Sequence, residues 1–417
     1  MALYLDFWDI LFLGAGFFFI FLSTFYLLLY YDFRGRLRKD PIPKSFPKLS
    51  FIVPAFNTGK NIIQTLEAVR ALNWPSKPFD IVVVDDGSSD DTAEWAKSVK
   101  GIRVYSKSNG GKASALNFGL RKVKHDFIAT MDDDSFASPD ALMYVMGYFD
   151  ENPKVAAVSS SHFVAETKTW AQKIQKYEYM TANFLRKSHS LLNALYVTPG
   201  PLSIFRKKVL EEVGGFDESA LTEDIEVAFH ILEKGYVIQH SLNAEVSTKV
   251  PPSFYDVYRQ RLRWYRGGMH VTKKYFHLFF NKKYGDFGMF IFPFLFVINA
   301  IFVLLFLLNL LAIFARGAIS FASQAYGSYL LGGLRPELFM GSSFSWMDLF
   351  TVQNIFLLTV LAFVLIYMRV CISIAKERVK VRHIPFLFVF IFYWGMFTGA
   401  IWYYALYNEL RGAPKKW

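Results

Sequence analysis

Long apolar stretches lie at both ends of the chain, and the middle alternates between short strand-like and helix-like patterns. Uninterrupted apolar stretches occur at about 7–30, 288–315, 347–370 and 384–407. About 20 apolar residues in a helix cross the ~30 Å hydrocarbon layer of a bilayer. The pattern therefore predicts four transmembrane helices, one N-terminal and three C-terminal, and a multi-pass protein of the cell membrane.

The charges beside the first apolar stretch predict its orientation. Asp6 and Asp9 precede or begin it, and basic residues follow it at Arg34, Arg36, Arg38, Lys39, Lys44 and Lys48. Because basic residues collect on the cytoplasmic side, residue 31 onward is expected in the cytoplasm. The alternative, a cleaved signal peptide, is disfavoured since the stretch is long and its positive end is on the wrong side.

The later connectors mostly agree with this topology. The basic segment 376–383 is expected inside and the segment 316–346 outside, whereas Arg411, Lys415 and Lys416 would then be external. A re-entrant or interfacial piece near 319–334 is the alternative that would resolve this conflict.

The middle of the chain has the pattern of a mostly parallel α/β sheet. Strands are predicted at 49–54, 80–84, 102–105 and 126–131, with helices at 61–72, 90–99 and 112–122 between them. Such alternation is typical of βαβ units. Further on, the pattern predicts helices at 139–149, 168–189 and 225–234, a strand at 155–161 and an apolar strand pair at 196–205.

These elements divide the chain into five predicted regions. They are an anchor (1–31), a basic linker (32–48), a cytoplasmic α/β domain (49–250), interfacial amphipathic helices (251–287) and a membrane region (288–417).

Composition indicates a chain that combines membrane-spanning segments with a water-exposed part. Hydrophobic residues make up 53% of the chain and the net charge is +11. Because the basic residues gather beside the predicted spans, they indicate contact with anionic lipid rather than with nucleic acid. The single cysteine, Cys371, allows no intramolecular disulfide and is expected to serve packing.

Carboxylates form three clusters in a fixed order: Asp85-Asp86, Asp132-Asp133-Asp134 and Glu223-Asp224. The first two directly follow predicted strands, where open α/β sheets hold ligand-binding groups. The first cluster would accept hydrogen bonds from a base or ribose, or else form a turn and helix cap. The second would bind a divalent cation, Mg²⁺ or Mn²⁺ in the absence of His and Cys, or else be a solvated turn.

The third cluster and two further motifs add candidate chemistry. Glu223-Asp224 would supply a general base, unless Thr222 or Asp224 merely caps the helix. The segment Gln260–Trp264 joins guanidinium groups to an aromatic face, suited to a diphosphate and a sugar ring or to lipid headgroups. Asn109-Gly110-Gly111-Lys112 would present N–H groups and an ammonium to phosphate, or form a plain turn.

Together these segments resemble the family 2 glycosyltransferases, specifically the processive membrane synthases of cellulose, chitin, hyaluronan and poly-N-acetylglucosamine. The segments that carry the resemblance are VPAFN, VVVDDGSSD, GGKASALN, MDDDS, TPGPLSIFR, GGFDE, LTED and QRLRW, over roughly residues 49–268.

The resemblance implies a GT-A-like fold and a role for each matching residue. Asp224, beside Glu223, would be the catalytic base. Donor binding would fall to Pro54, Asn57, Asp85, Asp86, Lys112, Asp132 and Asp133. Asp132 and Asp134 would hold the metal, and Gln260, Arg263 and Trp264 would grip the diphosphate and acceptor. This chain has Thr58-Gly59-Lys60 where the family often has an acidic residue, which leaves the base open between uracil and guanine.

The implied activity is inverting transfer from a nucleotide sugar, expected to be a UDP-sugar, to a growing polysaccharide, with export and an accessory membrane subunit as further implications. The alternatives are transfer of one sugar to a polyprenyl phosphate or other lipid, and a non-catalytic transport or sensing protein on a transferase scaffold.

Overall fold

The computed structural model of the protein describes residues 7–295, 299–330, 333 and 352–414. Two compact units emerge from its contacts. One contains Met1–Tyr31 and Leu295–Val370, and the other contains Asp32–Phe294 and Cys371–Trp417. The second unit holds all the residues discussed above as candidates for chemistry.

An eight-stranded sheet forms the centre of the second unit. The strands are β1 (Leu49–Ala55), β2 (Asp80–Asp85), β3 (Ile102–Ser106), β4 (Phe127–Thr130), β5 (Ser135–Ala137), β6 (Val155–Val164), β7 (Ser203–Arg206) and β8 (Val237–Thr248). Their order is β3-β2-β1-β4-β7-β6-β8-β5. Three neighbouring pairs in β3-β2-β1-β4 and the β6–β8 pair are parallel, and the other pairs are antiparallel. The predicted mostly parallel α/β sheet is confirmed.

The α-helices of the described residues belong to both units. They are α1 (Phe7–Phe33), α2 (Ile62–Ala71), α3 (Thr92–Ser98), α4 (Lys112–Leu120), α5 (Ala141–Val145), α6 (Gly147–Glu151), α7 (Trp170–Leu191), α8 (Lys207–Glu212), α9 (Glu223–Glu233), α10 (Phe254–Lys274), α11 (Asn299–Leu330), α12 (Val352–Ile374), α13 (Ile384–Val389) and α14 (Gly395–Leu410). A π-helical turn, Phe390–Trp394, joins α13 to α14.

Burial of the central strands explains why the first half of the sheet could be predicted. Every residue of β1 is buried, and Phe51, Ile52 and Val53 are completely so. Burying each such side chain stabilises the fold by about 1.5–3 kcal/mol before entropic costs. Because β1 pairs in parallel with β2 and β4, the carboxyl ends of these three strands meet at one edge of the sheet. The first two acidic clusters begin at this edge.

Two predicted elements of the α/β domain differ in the structure. The expected helix at 139–149 is two short helices, α5 and α6. The predicted strand pair at 196–205 is wrong, because only Ser203–Arg206 is a strand. Pro199 and Pro201 have no N–H to donate to a sheet, and Ser203 Oγ instead donates to Pro199 O at 2.6 Å.

The longest strand, β8, was not predicted. It has twelve residues, and polar side chains interrupt its apolar positions. Several of these polar groups are nevertheless buried with hydrogen-bond partners, such as His240, whose ring contacts Ser159 Oγ at 2.9 Å. Buried polar networks of this kind conceal a strand from any hydrophobicity pattern.

Three helical stretches of the described chain are long and apolar enough to cross a membrane: Gly16–Phe33, Asn354–Ile374 and Val381–Leu410. They match the first, third and fourth predicted spans, although 347–351 lie outside the described residues. The second predicted span includes 296–298, also outside them, and is helical from Asn299 onward. Since α11 continues to Leu330, the predicted loop at 316–346 is wrong over its first half.

Candidate active site

The loops after β1 and β2 are bound to each other. Asn57 has a left-handed backbone, with φ of 51°. Its N–H donates to Ser88 Oγ at 3.0 Å, and its Oδ1 accepts from Ser89 N at 2.8 Å. Asp85 Oδ1 accepts from Ser88 N at 3.1 Å, which forms the turn predicted as the alternative role of Asp85. Pro54 lies in β1 opposite Val84.

Asp86 is buried and its carboxylate is already surrounded by donors. Lys107 Nζ lies at 2.7 Å, Gly111 N at 2.7 Å and Gly110 N at 3.1 Å from its oxygens. The expectation that the two glycine N–H groups bind phosphate is therefore wrong for this structure, because Asp86 takes them. Asp86 thereby fixes the turn that begins α4 at Lys112.

Lys112 joins the second and third acidic clusters. Its Nζ lies 2.6 Å from Asp132 Oδ1 and 3.3 Å from Glu223 Oε1. Burial alone would lower the pKa of Lys112, but the two carboxylates outweigh it and raise that pKa. The raised pKa keeps the ammonium charged at neutral pH, and it holds the ends of β4 and α9 together.

The side chains of the three consecutive aspartates, Asp132 to Asp134, contact different groups. Asp133 accepts hydrogen bonds from Thr58 Oγ1 and Phe56 N in the loop after β1. Burial, opposed by the Thr58 hydrogen bond, raises the pKa of Asp133 to about 6. Asp134 accepts from Ser135 Oγ at 3.1 Å, and burial followed by the charge of Asp132 raises its pKa.

Asp224 lies in the first turn of α9 and its backbone is held in place. Thr198 donates to Asp224 O through its N–H at 3.1 Å and its Oγ1 at 3.0 Å. Burial, followed by the charge of Glu223, raises the pKa of Asp224 to about 6. Thr222 does not cap α9, and its buried Oγ1 has no hydrogen-bond partner in the described chain.

Helix α10 presents the two arginines of its QRLRW segment, Arg261 and Arg263, differently. Arg261 is only 1% exposed, and its Nη2 and Nε lie 2.6 Å and 3.2 Å from the carboxylate oxygens of Glu178. Its guanidinium also lies 4.0 Å from the centre of the Trp264 ring. Arg263 Nη1 donates to Leu221 O at 3.4 Å, and among the described residues Arg263 forms no ion pair. Arg261 therefore fixes the position of Trp264, while Arg263 is available to a ligand.

These elements enclose one cavity of about 380 Å³. Eight of the predicted site residues line it: Lys112, Asp132, Asp134, Glu223, Asp224, Gln260, Arg263 and Trp264. The remaining five, Pro54, Asn57, Asp85, Asp86 and Asp133, do not line it. The structure thus brings together the residues predicted to bind the metal, to act as the catalytic base and to bind the acceptor. The residues predicted to contact the nucleobase lie in and beside the neighbouring loops instead.

Helix α7 contributes lining residues that sequence reasoning missed, among them Glu178, Ala182, Arg186 and His189. Their spacing of three to four residues places them on one helical face, which was the available signal. Arg186 Nη1 donates to His162 Nδ1 at 3.2 Å and to Asn183 Oδ1 at 3.3 Å. Burial keeps the pKa of His162 well below its ordinary value, so this partner is neutral. Within the described chain Arg186 makes no ion pair, and its charge faces the cavity.

Gly200 is required where the cavity wall approaches the ion pair. A Cβ at this position would overlap the Asp132 carboxylate and Lys112 Nζ. We expect Gly200→Ala to lower activity by ~10-fold or more, since misplacing catalytic groups by about 1 Å costs up to ~10²-fold. Initial transfer rates would measure it. Gly35→Ala, where a Cβ meets nothing within 4 Å, is the control, and equal activity of both variants would contradict the role of Gly200.

The carboxylates suit a divalent cation in part. Asp132 and Asp134 offer oxygen ligands in the cavity, but no group of three or more His, Cys, Asp or Glu side chains in the described chain could hold an ion alone. Mg²⁺ is commonly bound by one or two carboxylates together with substrate phosphates. The residues therefore fit a cation that binds with a diphosphate.

Comparison with known proteins agrees with this chemistry. Residues 50–214 match the family model described as glycosyl transferase family 2. The chain is 29% identical to a poly-beta-1,6-N-acetyl-D-glucosamine synthase of Staphylococcus aureus over 304 residues. This match covers 70% of this chain and 73% of that relative. The chain carries a family 2 glycosyltransferase domain. The corresponding synthase of Staphylococcus epidermidis is also 29% identical, over 62% of this chain and 65% of its own length.

A solved structure shares the fold of this glycosyltransferase. It is a mannosyltransferase from Pyrobaculum calidifontis in complex with GDP-mannose and Mn²⁺. The TM-score is 0.63 at 20% identity, and the match covers 97% of this chain and all of the other. This likeness confirms the predicted GT-A-like fold. The predicted enzyme class is confirmed by the family match over residues 50–214.

Proposed function

We propose that the protein is a membrane-bound inverting glycosyltransferase that extends a polysaccharide from a nucleotide-sugar donor. The observation that carries this proposal is the single cavity in which Asp224, Asp132, Asp134, Arg263 and Trp264 converge. The synthases that the chain resembles are named for a polymer, which supports the same product class.

The reaction follows from the positions of these groups. The acceptor hydroxyl gives its proton to the Asp224 carboxylate while its oxygen bonds to the anomeric carbon of the donor. The bond between that carbon and the diphosphate oxygen breaks, and the nucleoside diphosphate leaves with the electron pair. Attack opposite the leaving group inverts the anomeric configuration. Trp264, held by Arg261, offers a ring face on which the acceptor sugar stacks.

Charge accumulates on the leaving diphosphate, and cationic groups of the cavity oppose it. Arg263 offers donors in a fixed fork that suits phosphate oxygens. Mg²⁺ or Mn²⁺ held by Asp132 and Asp134 would neutralise further negative charge there. Lys112, already paired with Asp132, keeps the carboxylates in place before the donor binds.

The cavity is tied to an apolar helix, which supports coupling between synthesis and export. Helix α10, which carries Gln260 and Trp264, is anchored by Arg266, whose Nε lies 2.6 Å from Glu409 Oε1 on α14. Tyr258 on α10 also packs near Tyr404, with ring centres 6.2 Å apart. A polymer leaving the cavity would meet helices able to cross the bilayer. The basic residues that follow α1 support a cytoplasmic location of the catalytic domain. An accessory membrane subunit would complete the export route.

A donor screen with the purified full-length protein tests this function. We expect UDP-N-acetylglucosamine to be used in preference to GDP-mannose, with a product that lengthens with time on a gel. An organic-soluble product that carries a single labelled sugar would show that the enzyme transfers one sugar to a lipid acceptor and does not make a polymer. No transfer or hydrolysis of any UDP- or GDP-sugar would overturn the enzymatic assignment.

Removal of divalent cations should stop transfer. With EDTA we expect activity to fall by ~10²-fold or more, since neutralising developing charge on the leaving group is worth several kcal/mol. Added Mn²⁺ or Mg²⁺ should restore the wild type but not Asp134→Asn. Thermal unfolding of the EDTA-treated protein would show that the fold survives, and full activity in EDTA would contradict the metal assignment.

A further inference from the structure

A second cavity, separate from the candidate active site, lies between α7 and the segment Ala375–His383, which links α12 to α13. Its volume is about 440 Å³. The lining contains four cationic side chains and one acidic one: Lys173, Lys176, Arg378, Arg382 and Glu377. None of these residues takes part in the chemistry described above. We propose that this cavity binds the headgroup phosphate of an anionic phospholipid.

The charge of the cavity is largely uncompensated. Lys176 Nζ pairs with Glu377 Oε1 at 2.7 Å, and this is the only ion pair of a lining cation in the described parts of the chain. Lys173 Nζ lies 5.0 Å from the centre of the Phe386 ring, so its partner there is aromatic rather than anionic. Three positive charges thus remain for a ligand that brings negative charge.

The apolar lining suits the part of a lipid next to its phosphate. Tyr177, Met180, Ile372 and Phe386 border the same cavity. A free inorganic anion would leave these surfaces unused, whereas a glycerol backbone and the first carbons of its acyl chains would cover them. Cationic groups next to apolar and aromatic surfaces are the arrangement found at membrane interfaces.

The position of the linking segment selects a lipid over a soluble phosphate. It follows the stretch Asn354–Ile374 and includes the first three residues of the stretch Val381–Leu410, and each of these stretches is long and apolar enough to cross a membrane. Around the basic residues it exposes aliphatic side chains, with Val379 45% and Val381 83% exposed. Such side chains insert at the boundary between headgroups and acyl chains. The cavity would therefore open at the depth of the lipid phosphates.

Binding of defined lipids to the delipidated full-length protein in detergent tests the proposal, with native mass spectrometry as the readout. We expect phosphatidylglycerol to bind more tightly than zwitterionic phosphatidylcholine. Arg378→Gln/Arg382→Gln should weaken phosphatidylglycerol by ~10-fold or more, because each basic residue near a membrane surface contributes substantially to anionic-lipid binding. Arg378→Lys/Arg382→Lys should keep most of the binding.

The control is Lys97→Gln/Lys100→Gln, which removes the same charge from exposed positions in and after α3. Equal loss in this control would mean that net charge alone attracts the lipid, and would overturn a specific site. Unchanged binding in the arginine variant would overturn it as well. Displacement of the lipid by glycerol phosphate or inorganic phosphate at similar concentrations would assign the cavity to a soluble phosphate instead. Thermal unfolding of each variant establishes that it is folded.

Discussion

Asp224→Asn is expected to lower the turnover of sugar transfer by ~10²–10⁴-fold, the usual contribution of a positioned general base. The amide cannot accept the proton of the acceptor hydroxyl, yet it keeps the size of the carboxylate. Its Oδ1 can still accept from Ile225 N, a bond of 3.0 Å in the wild type. Folding and donor binding should therefore persist. Turnover with saturating donor, and donor affinity by titration calorimetry, would separate the two effects.

The matched control for this variant is Glu223→Gln. Glu223 is 4% exposed and pairs with Lys112, so its carboxylate is turned toward the ion pair. We expect a smaller loss of turnover than for Asp224→Asn. Near-normal transfer by the Asp224 variant, with a large loss in the Glu223 variant, would exchange the roles of the two residues.

The pH dependence of turnover should identify the same base. A general base works only when ionised, so activity should rise with pH through the pKa of Asp224, about 6. Burial raises this pKa and the neighbouring Glu223 carboxylate raises it further. Glu223→Gln should therefore move the acid limb of the profile to lower pH, and Asp224→Asn should abolish it. An acid limb that does not move in Glu223→Gln would mean that another group limits the reaction.

The sequence predicts the residues of this site better than it predicts their surroundings. Strand-end carboxylates after Ile81–Val84 and Phe127–Thr130 follow from local pattern, because apolar runs and chain order place them at one sheet edge. The hydrogen bonds from Gly110 and Gly111 to Asp86 could not be predicted, since they depend on how two separate loops meet. Strand β8 was hidden for a similar reason: its polar side chains find buried partners that are distant in sequence.

Contacts distant in sequence also decide the roles of the two arginines of the QRLRW segment, Arg261 and Arg263. Both have the chemistry to bind a diphosphate, and spacing alone does not decide between them. Glu178, on a helix far earlier in the chain, takes Arg261 and leaves Arg263 facing the cavity. Arg186 was overlooked because a lone arginine in an amphipathic helix normally faces solvent. Only the tertiary structure shows that it lies beside a neutral histidine.

Lys112→Met is expected to cause the second large effect, on stability and on catalysis together. The substitution keeps the length of the side chain but leaves Asp132 and the buried Glu223 without their cation. Glu223 is buried, but the side chains of Lys112 and Asp132 are 29% and 24% exposed, so solvent screens part of the loss. We therefore expect the substitution to lower the free energy of unfolding by about 1–3 kcal/mol. Lys100→Met, at an exposed position after α3, is the control and should change stability little. Denaturant unfolding would measure both variants.

The charge of Lys112 also lowers the pKa of Asp224, against the effect of burial and Glu223. Lys112→Met should therefore move the acid limb of turnover to higher pH, opposite in direction to Glu223→Gln. Excess Mn²⁺ should recover part of the lost stability, because a cation at Asp132 replaces the missing positive charge. If Mn²⁺ stabilises the Lys100 variant as much as the Lys112 variant, the ammonium and the metal do not share the Asp132 carboxylate.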